Sequence, residues 1–339
     1  MQAPFISVII PIVEWNPWVV ECVTRCAELD YPDFDIWLAP NDPPDTELAE
    51  RLNLLNRRGI IHVLPTGPGN PSRKRNALMK AIHADYMAFI DSDAYPHRHW
   101  LQQGVPLLMD DIAIVTGPNL TPPNEPLLRR IAGNVMQSRW GFGQAHIRHR
   151  RVPRRYVREM PTCNMIIKRD PGIWFHEELD TGEDMVLCED YIRNGKRILY
   201  DPNVVVYHHR RKIFLPFIIQ FFYYGYYKSR LFRQGSSIAY GWQALPALFV
   251  LYLAGLVVLS LALPQTLWLG VLYLPLLGYV IMIGIESFRA AHTIVEGILT
   301  VLAFVAGHIG YGGGYLLGYM QSHLTGFNKK KPLNHGDGK

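Results

Sequence analysis

The chain has 339 residues, enough for one large or two ordinary domains, and at 49% hydrophobic and 19% charged it is apolar for a soluble protein. Much of its +5 net charge gathers in the stretch His146 to Arg158 and in Lys329-Lys330-Lys331, which favours anionic partners. No nucleic-acid motif accompanies these clusters, so phosphates or lipid head groups are expected in preference to nucleic acid. Charges nearly vanish between Leu245 and Met320, which predicts a globular domain followed by a membrane region. The four cysteines, Cys22, Cys26, Cys163 and Cys188, lack zinc spacing and read as reduced, packed thiols. The N-terminus has no basic n-region and Pro11 cuts its apolar run, so it reads as a strand and the soluble domain is expected in the cytosol.

In chain order, Ser7 to Pro11 is a first strand, Trp18 to Leu29 a helix, Phe34 to Ala39 a strand, Thr46 to Arg57 a helix and Ile60 to Leu64 a strand. A Gly-Pro loop from Thr66 to Pro71 precedes a helix capped by Ser72 and running to His83. The apolar run Tyr86 to Ile90 is a buried parallel strand. Further strands follow at Ile112 to Thr116 and Met165 to Lys168, then a helix from Asp184 to Asn194 ended by Gly195, then short strands at Ile198 to Tyr200 and Val204 to Tyr207. This alternation predicts a mostly parallel sheet covered by helices, with ligands beyond the carboxyl ends of its strands. Phe214 to Phe232, aromatic with Lys228, Arg230 and Arg233, reads as an amphipathic helix in the membrane interface, the alternative being a core helix on the sheet. Apolar segments at about Leu245 to Leu263, Thr266 to Ile285 and Ile294 to Met320 approach or exceed the roughly 20 residues of a bilayer span, with Pro264-Gln265 as a tight hairpin. Gly312-Gly313-Gly314 favours close helix packing, and His308 is expected to be buried and hydrogen-bonded. Three spans place the tail opposite a cytosolic domain, whereas its lysines favour the cytosolic side; either that rule fails or one segment does not span.

Asp91-Ser92-Asp93 sets two carboxylates at the end of a strand, where hard oxygen ligands suit Mg²⁺ or Mn²⁺ and the ion neutralises a diphosphate. A second acidic cluster, Gly182-Glu183-Asp184, opens a helix. Glu189-Asp190, further along it, lacks the preceding glycine and reads as a solvated face.

The ordered set Ser7 to Pro11, Arg75-Asn76, Asp91-Ser92-Asp93, Gly182-Glu183-Asp184, Pro202 and His208 resembles the family 2 glycosyltransferases over roughly Ile6 to Arg211. The resemblance implies an α/β GT-A (Rossmann-like) domain, mostly parallel, followed by a C-terminal α-helical transmembrane region. It implies Asp93 as direct metal ligand, Asp91 near the ribose or a metal-bound water, and His208 completing the shell, with His209 as fallback. It implies Asp184 as the base of an inverting transfer and Glu183 as the residue orienting donor or acceptor. Donor-side residues are Pro11, Glu14, Asn41, Asp42, Arg75, Asp91 and Ser92, with Arg75 meeting the nucleotide or its phosphates. Pro40-Asn41, followed by Asp42, departs from the family's acidic pair that reads the base, which leaves UDP as the default and GDP or TDP as alternatives. Lys74 replaces a small residue and its role is open. The stretch His146 to Arg158 is read as a phosphate clamp or a disordered loop on anionic lipid.

Val204 to His209, Gln220 to Gly225 and the spans resemble membrane-anchored exopolysaccharide transferases of the succinoglycan glucosyltransferase type. Tyr223 and Tyr224 stand where processive synthases carry Arg-Trp, and Gln137-Ser138-Arg139-Trp140 is a decoy with the wrong spacing, which implies single-sugar transfer. The expected organisation is a catalytic domain over 1–212, an interfacial helix and linker over 213–240, a membrane region over 241–322 and a basic tail over 323–339. The expected protein is multi-pass in the cell (inner) membrane with its catalytic domain cytoplasmic. Expected partners are a UDP-sugar, a lipid-linked saccharide acceptor, Mn²⁺ or Mg²⁺, the membrane and polysaccharide-assembly proteins. The rivals are a polyprenyl-phosphate sugar transferase and a degenerate assembly subunit.

Overall fold

The computed structural model describes residues 3–179, 181–233, 235, 240–263 and 267–324. Two compact units are present, one from Met1–Glu125 with Ile147–His209, the other from Pro126–His146 with Arg210–Lys339.

The first unit contains β1 (Ile6–Pro11), α1 (Pro17–Ala27), β2 (Phe34–Ala39), α2 (Thr46–Leu55), β3 (Ile61–Val63), α3 (Pro71–Ala81), β4 (Tyr86–Phe89), β5 (Ala94–Pro96), α4 (Trp100–Gly104), β6 (Ile112–Thr116) and β7 (Asn119–Leu120). After the excursion into the second unit it resumes with β8 (Arg155–Val157), β9 (Met165–Lys168), α7 (Glu183–Arg193), β10 (Arg197–Tyr200) and β11 (Val206–His208). Eight strands form the main sheet in the order β3-β2-β1-β4-β9-β6-β10-β8. β1 pairs in parallel with β2 and β4, β2 with β3 and β6 with β10; β9 is antiparallel to β4 and β6. Alternation along β1 sends Ile6, Val8 and Ile10 into one core and Ile9 into the other, so apolar side chains cover both faces. Each fully buried aliphatic side chain contributes about 1.5–3 kcal/mol. A smaller sheet, β5-β11-β7, sets His208 opposite Ala94.

Caps fix where the helices begin. Asn16 accepts from the Trp18 and Val19 amides, and Asp45 from that of Leu48. The cap of α3 is Asn70, accepting from Arg73 N at 3.0 Å, and not Ser72 as expected; Pro71 takes the first helical position and Ser72 is buried inside the first turn. Two further readings are corrected: the solvated Glu189-Asp190 face and the disordered-loop alternative for the basic stretch. Glu189 is buried and paired with Arg193 at 3.0 Å, while Asp190 lies 3.0 Å from His176 Nε2, so this is no solvated face. Within the basic stretch, 155–157 is an edge strand on β10, Arg154 pairs with buried Asp201 at 2.5 Å, and Arg148 with Glu159 at 2.9 Å. Those side chains are therefore ordered and engaged inside the first unit.

The second unit contains α5 (Leu127–Gln137), α6 (Arg139–Phe142), α8 (Leu215–Arg233), α9 (Leu245–Ala262), α10 (Leu267–Leu272), α11 (Leu274–Ala290) and α12 (Ile294–Leu324). Stretches at Gly241–Ala262, Gly270–Ala290 and Ile294–Gln321 are long and apolar enough to cross a membrane. α8 buries the stripe Phe217, Phe221, Gly225 and Ser229. It lies along α12 so closely that a Cβ on Gly314 meets the Phe222 carbonyl and one on Gly318 the Tyr226 carbonyl. Gly312 approaches Pro246 of α9 in the same way, while Gly313 has open space. Several polar groups of the apolar helices are paired, although the buried Ser287 hydroxyl of α11 has no hydrogen-bond partner. Glu296 takes Arg130 Nε at 3.0 Å and Nη2 at 3.2 Å, Ser138 donates to Glu286 at 2.7 Å, and His308 lies 2.8 Å from Tyr279 Oη and 2.9 Å from the Trp140 carbonyl. The stretch Gln137 to Trp140 thus has a packing role here. The Pro264-Gln265 hairpin and the lysine-rich tail lie outside the described residues.

Candidate functional site

The carboxyl end of β4 delivers the first acidic cluster. After Ile90 the chain turns, with Ala94 N donating to the Asp91 carbonyl at 3.0 Å, and Asp91, Ser92 and Asp93 are half-buried at the rim. Pairing of β11 with β5 brings His208 Nε2 to 3.2 Å from Asp93 Oδ1. The ligating atoms of Asp91, His208 and Cys163 lie within 4.8 Å of one another. Burial pushes the Asp91 carboxyl above the ordinary carboxylate range; Arg75 pulls it back, and neighbouring Asp93 and Glu183 add to the rise. Carboxylate oxygens and an imidazole nitrogen converging where negative charge is crowded fit a divalent cation. His209, the fallback ligand, is committed elsewhere. Its ring nitrogens lie 2.9 Å from Glu125 and 2.9 Å from Glu21, and it stacks on Trp18. Among the two histidines, the His208 ring meets the Asp93 carboxylate, while His209 gives Asp93 only its backbone N–H, donated to the Asp93 carbonyl at 3.1 Å.

Arg75 links the two acidic clusters. Its side chain is 2% exposed; Nη2 donates to Asp91 at 2.9 Å, Nη1 to Glu183 at 3.0 Å, and the guanidinium stands over Phe175. A fork of donors suits two carboxylates at once. The structure gives the fork to two protein carboxylates beside the acidic turn. Asn76 fixes the loop behind it by bonding both ways with Phe175, and Asn70 donates to the Glu177 and Leu179 carbonyls.

Gly182, in the left-handed region at φ 87°, turns the chain into α7 so that Glu183 and Asp184 occupy its first turn. Asp184 accepts from Met185 N at 2.8 Å. Burial pushes its carboxyl up to about 7, aided by the charge of Glu183, and the opposing pull of Arg148 is weaker.

On the other side of the sheet centre, buried Pro11 ends β1 opposite Ala39 and exposed Glu14 follows it. Asn41 and Asp42 come directly after β2. Asn41 Oδ1 is buried without a hydrogen-bond partner, and the Asp42 carbonyl accepts from Trp15 Nε1 at 3.1 Å. Thr66 N donates to the Pro40 carbonyl at 2.9 Å, and buried Lys74 Nζ donates to Thr66 Oγ1 and the Gly67 carbonyl, each at 3.0 Å. Burial pushes the Lys74 ammonium down, against the attraction of Asp42. Lys74 is therefore a clip between α3 and this loop. Sequence reasoning leaves its role open, assigns none to Thr66 and reads Cys163 as a packed thiol; the only sign for Lys74 is a lysine where a small residue is usual.

Residues 7–171 match the family model described as Glycosyl transferase family 2. A pre-mycofactocin glycosyltransferase of Mycobacterium tuberculosis is 29% identical over 162 residues, covering 46% of this chain and 33% of that protein. The poly(ribitol-phosphate) beta-N-acetylglucosaminyltransferase TarS of Staphylococcus aureus is 24% identical over 200 residues, covering 57% and 33%. The chain thus spans a third of the length of these curated relatives. The solved mannosyltransferase PcManGT from Pyrobaculum calidifontis, in complex with GDP-Man and Mn²⁺, matches with a TM-score of 0.63 at 15% identity, over 93% of this chain and 88% of that one. That likeness is one of fold. Residues 7–171 thus carry the match to the family 2 glycosyltransferases, and the strand order and the likeness to the solved mannosyltransferase give the domain they belong to a GT-A-like fold.

Proposed function

We propose that the chain is a glycosyltransferase moving one sugar, with inversion, from a nucleotide-diphosphate sugar to a lipid-linked saccharide acceptor in surface polysaccharide or glycan assembly. The observation that carries this is Asp184, a carboxyl pushed up to about 7 beside Glu183, which shares Arg75 with the acidic turn. A carboxyl near 7 is a stronger base than an ordinary one and is still substantially ionised at neutral pH. Asp184 takes the proton of the acceptor hydroxyl as that oxygen attacks the anomeric carbon opposite the leaving group, so configuration inverts. Glu183, held by Arg75, orients the sugar or the acceptor. Asp93, Asp91 and His208 would hold Mn²⁺ or Mg²⁺. When bound, the cation supplies positive charge against the leaving diphosphate. The unpartnered Asn41 Oδ1 suits an N–H on the edge of a base, with Pro11, Glu14, Asp42 and Ser92 flanking the nucleotide. UDP is the expected donor base, and GDP the alternative, since PcManGT was solved with GDP-Man.

Three apolar helices support a membrane setting; the inner membrane, with the catalytic domain cytoplasmic, is the proposed one. The acetylglucosaminyltransferase relative supports a role in polysaccharide assembly. Membranes containing the full chain, native acceptor lipids and Mn²⁺ are to be given labelled UDP-, GDP- and TDP-sugars. Label should enter the lipid extract from one donor and be lost in Asp184→Asn. Undiminished label in the variant removes Asp184 as base; no label from any donor overturns the transferase reading.

A further inference from the structure

The geometry points to Cys163 as an additional ligand of the divalent cation, giving the site a mixed oxygen, nitrogen and sulfur donor set that favours Mn²⁺, Co²⁺ or Zn²⁺ over Mg²⁺. The inference rests on the cation site proposed above and adds a residue and a preference to it. The main sheet supplies the placement. β4 and β9 are antiparallel, with Tyr86 opposite Lys168 and Phe89 opposite Met165. Just beyond that last pair, Asp91 follows the end of β4 and Cys163 lies in the 3-10 turn Thr162–Asn164 that leads into β9. His208 arrives independently, through the pairing of β11 with β5. Three separate segments therefore bring a carboxylate, a thiol and an imidazole within 4.8 Å. Bonds of about 2.0–2.3 Å to one ion span donors up to about 4.3 Å apart, so small side-chain rotations close the set.

The backbone at Cys163 is firmly held. Next to it, Asn164 accepts from Trp100 Nε1 at 2.8 Å and donates to the Val204 carbonyl at 2.8 Å and the Pro118 carbonyl at 3.2 Å. Thr116 donates to the Asn164 carbonyl at 2.6 Å. Cys163 shares its core cluster with Cys22 and Cys26, but the Cys22 thiol is turned to the Asp91 carbonyl at 3.6 Å and the Cys188 thiol to the Met160 carbonyl. On ligation the Cys163 S–H bond breaks, the sulfur pair goes to the metal, and the proton leaves to solvent. Thiolate favours softer ions, whereas Mg²⁺ demands oxygen and keeps its waters.

Cobalt titration of the full chain in detergent, with a nucleoside diphosphate present, tests this. Sulfur bound to Co²⁺ gives a near-ultraviolet charge-transfer band, visible without any turnover. The band should appear in the wild type and in Cys188→Ser, and be absent in Cys163→Ser and Cys163→Ala. Circular dichroism checks that both variants fold, and either one suffices. Loss of the thiol should weaken Co²⁺ binding at least about tenfold and narrow the preference over Mg²⁺. Co²⁺ bound by the wild type without the band, or a band that survives in both Cys163 variants, overturns Cys163 as a ligand and leaves the cation site standing. Neither Co²⁺ nor Mn²⁺ bound overturns the cation site itself.

Discussion

Asp184 and Arg75 show burial acting in opposite directions on charge. For Asp184 nothing fully compensates the loss of water, so its carboxyl rises from 3.8 to about 7. The folded state then favours the neutral acid: its contribution to stability is fully present below about 3.8 and is lost as pH rises through about 7. Asp184→Asn cannot ionise, so its melting temperature relative to wild type should be higher at pH 8 than at pH 4. In activity, kcat/KM of the wild type should climb through about pH 7, and the variant should lose about 10²–10⁴-fold, read from a pH–rate profile. Arg75 is instead held by two carboxylates. Arg75→Ala leaves Asp91 and Glu183 without their counter-charge. Breaking a buried pair costs about 3–5 kcal/mol, and solvent at Asp91, which is 35% exposed, moves the expectation to the low end. Arg75→Lys should recover only part, because an ammonium cannot fork to both partners; urea unfolding measures both.

Among the elements, those with a strong local pattern are legible in the sequence. The strands at Phe34–Ala39, Ile112–Thr116 and Met165–Lys168 fall where the apolar runs place them. The cap of α3 is harder to read because Asn70 and Ser72 are both competent caps. Pro71 decides between them, since proline belongs at the first helical position, directly after the cap. The glycines of α12 read as packing residues, but the sequence does not name their partners. Gly314 touches the backbone of α8, whereas its neighbour Gly313 faces open space. Gly314→Val should therefore force α8 and α12 apart and cost about 1–3 kcal/mol or more, while Gly313→Ala should be tolerated. Thermal unfolding of the two variants in detergent separates them; equal loss would refute the packing assigned to this helix pair.

The two compact units are interleaved along the chain, because 126–146 leaves the first and joins the second. Its α5 buries Ile131, Ala132, Val135 and Met136 in one cluster with Phe217, Ile283 and Phe304. Cutting the chain after His209 should therefore strand an apolar helix face, and the product should aggregate. Replacing 126–146 by a short polar linker in the same truncation should restore a monomer on size exclusion; a monomer without that replacement would contradict the division. Features set by near neighbours are legible in the amino acids alone: strand and helix periods, an acidic pair closing an apolar run, segments long enough to span a bilayer. They depend on residues a few positions apart, and the backbone period carries them. The choice of His208 over His209, the turning of Arg75 toward Glu183 108 positions away, and the tie of Arg130 to Glu296 across 166 positions depend on strand pairing and helix packing between distant segments. No local period encodes those contacts. Hydrogen-bond satisfaction and the exclusion of water fix them only once the chain has folded.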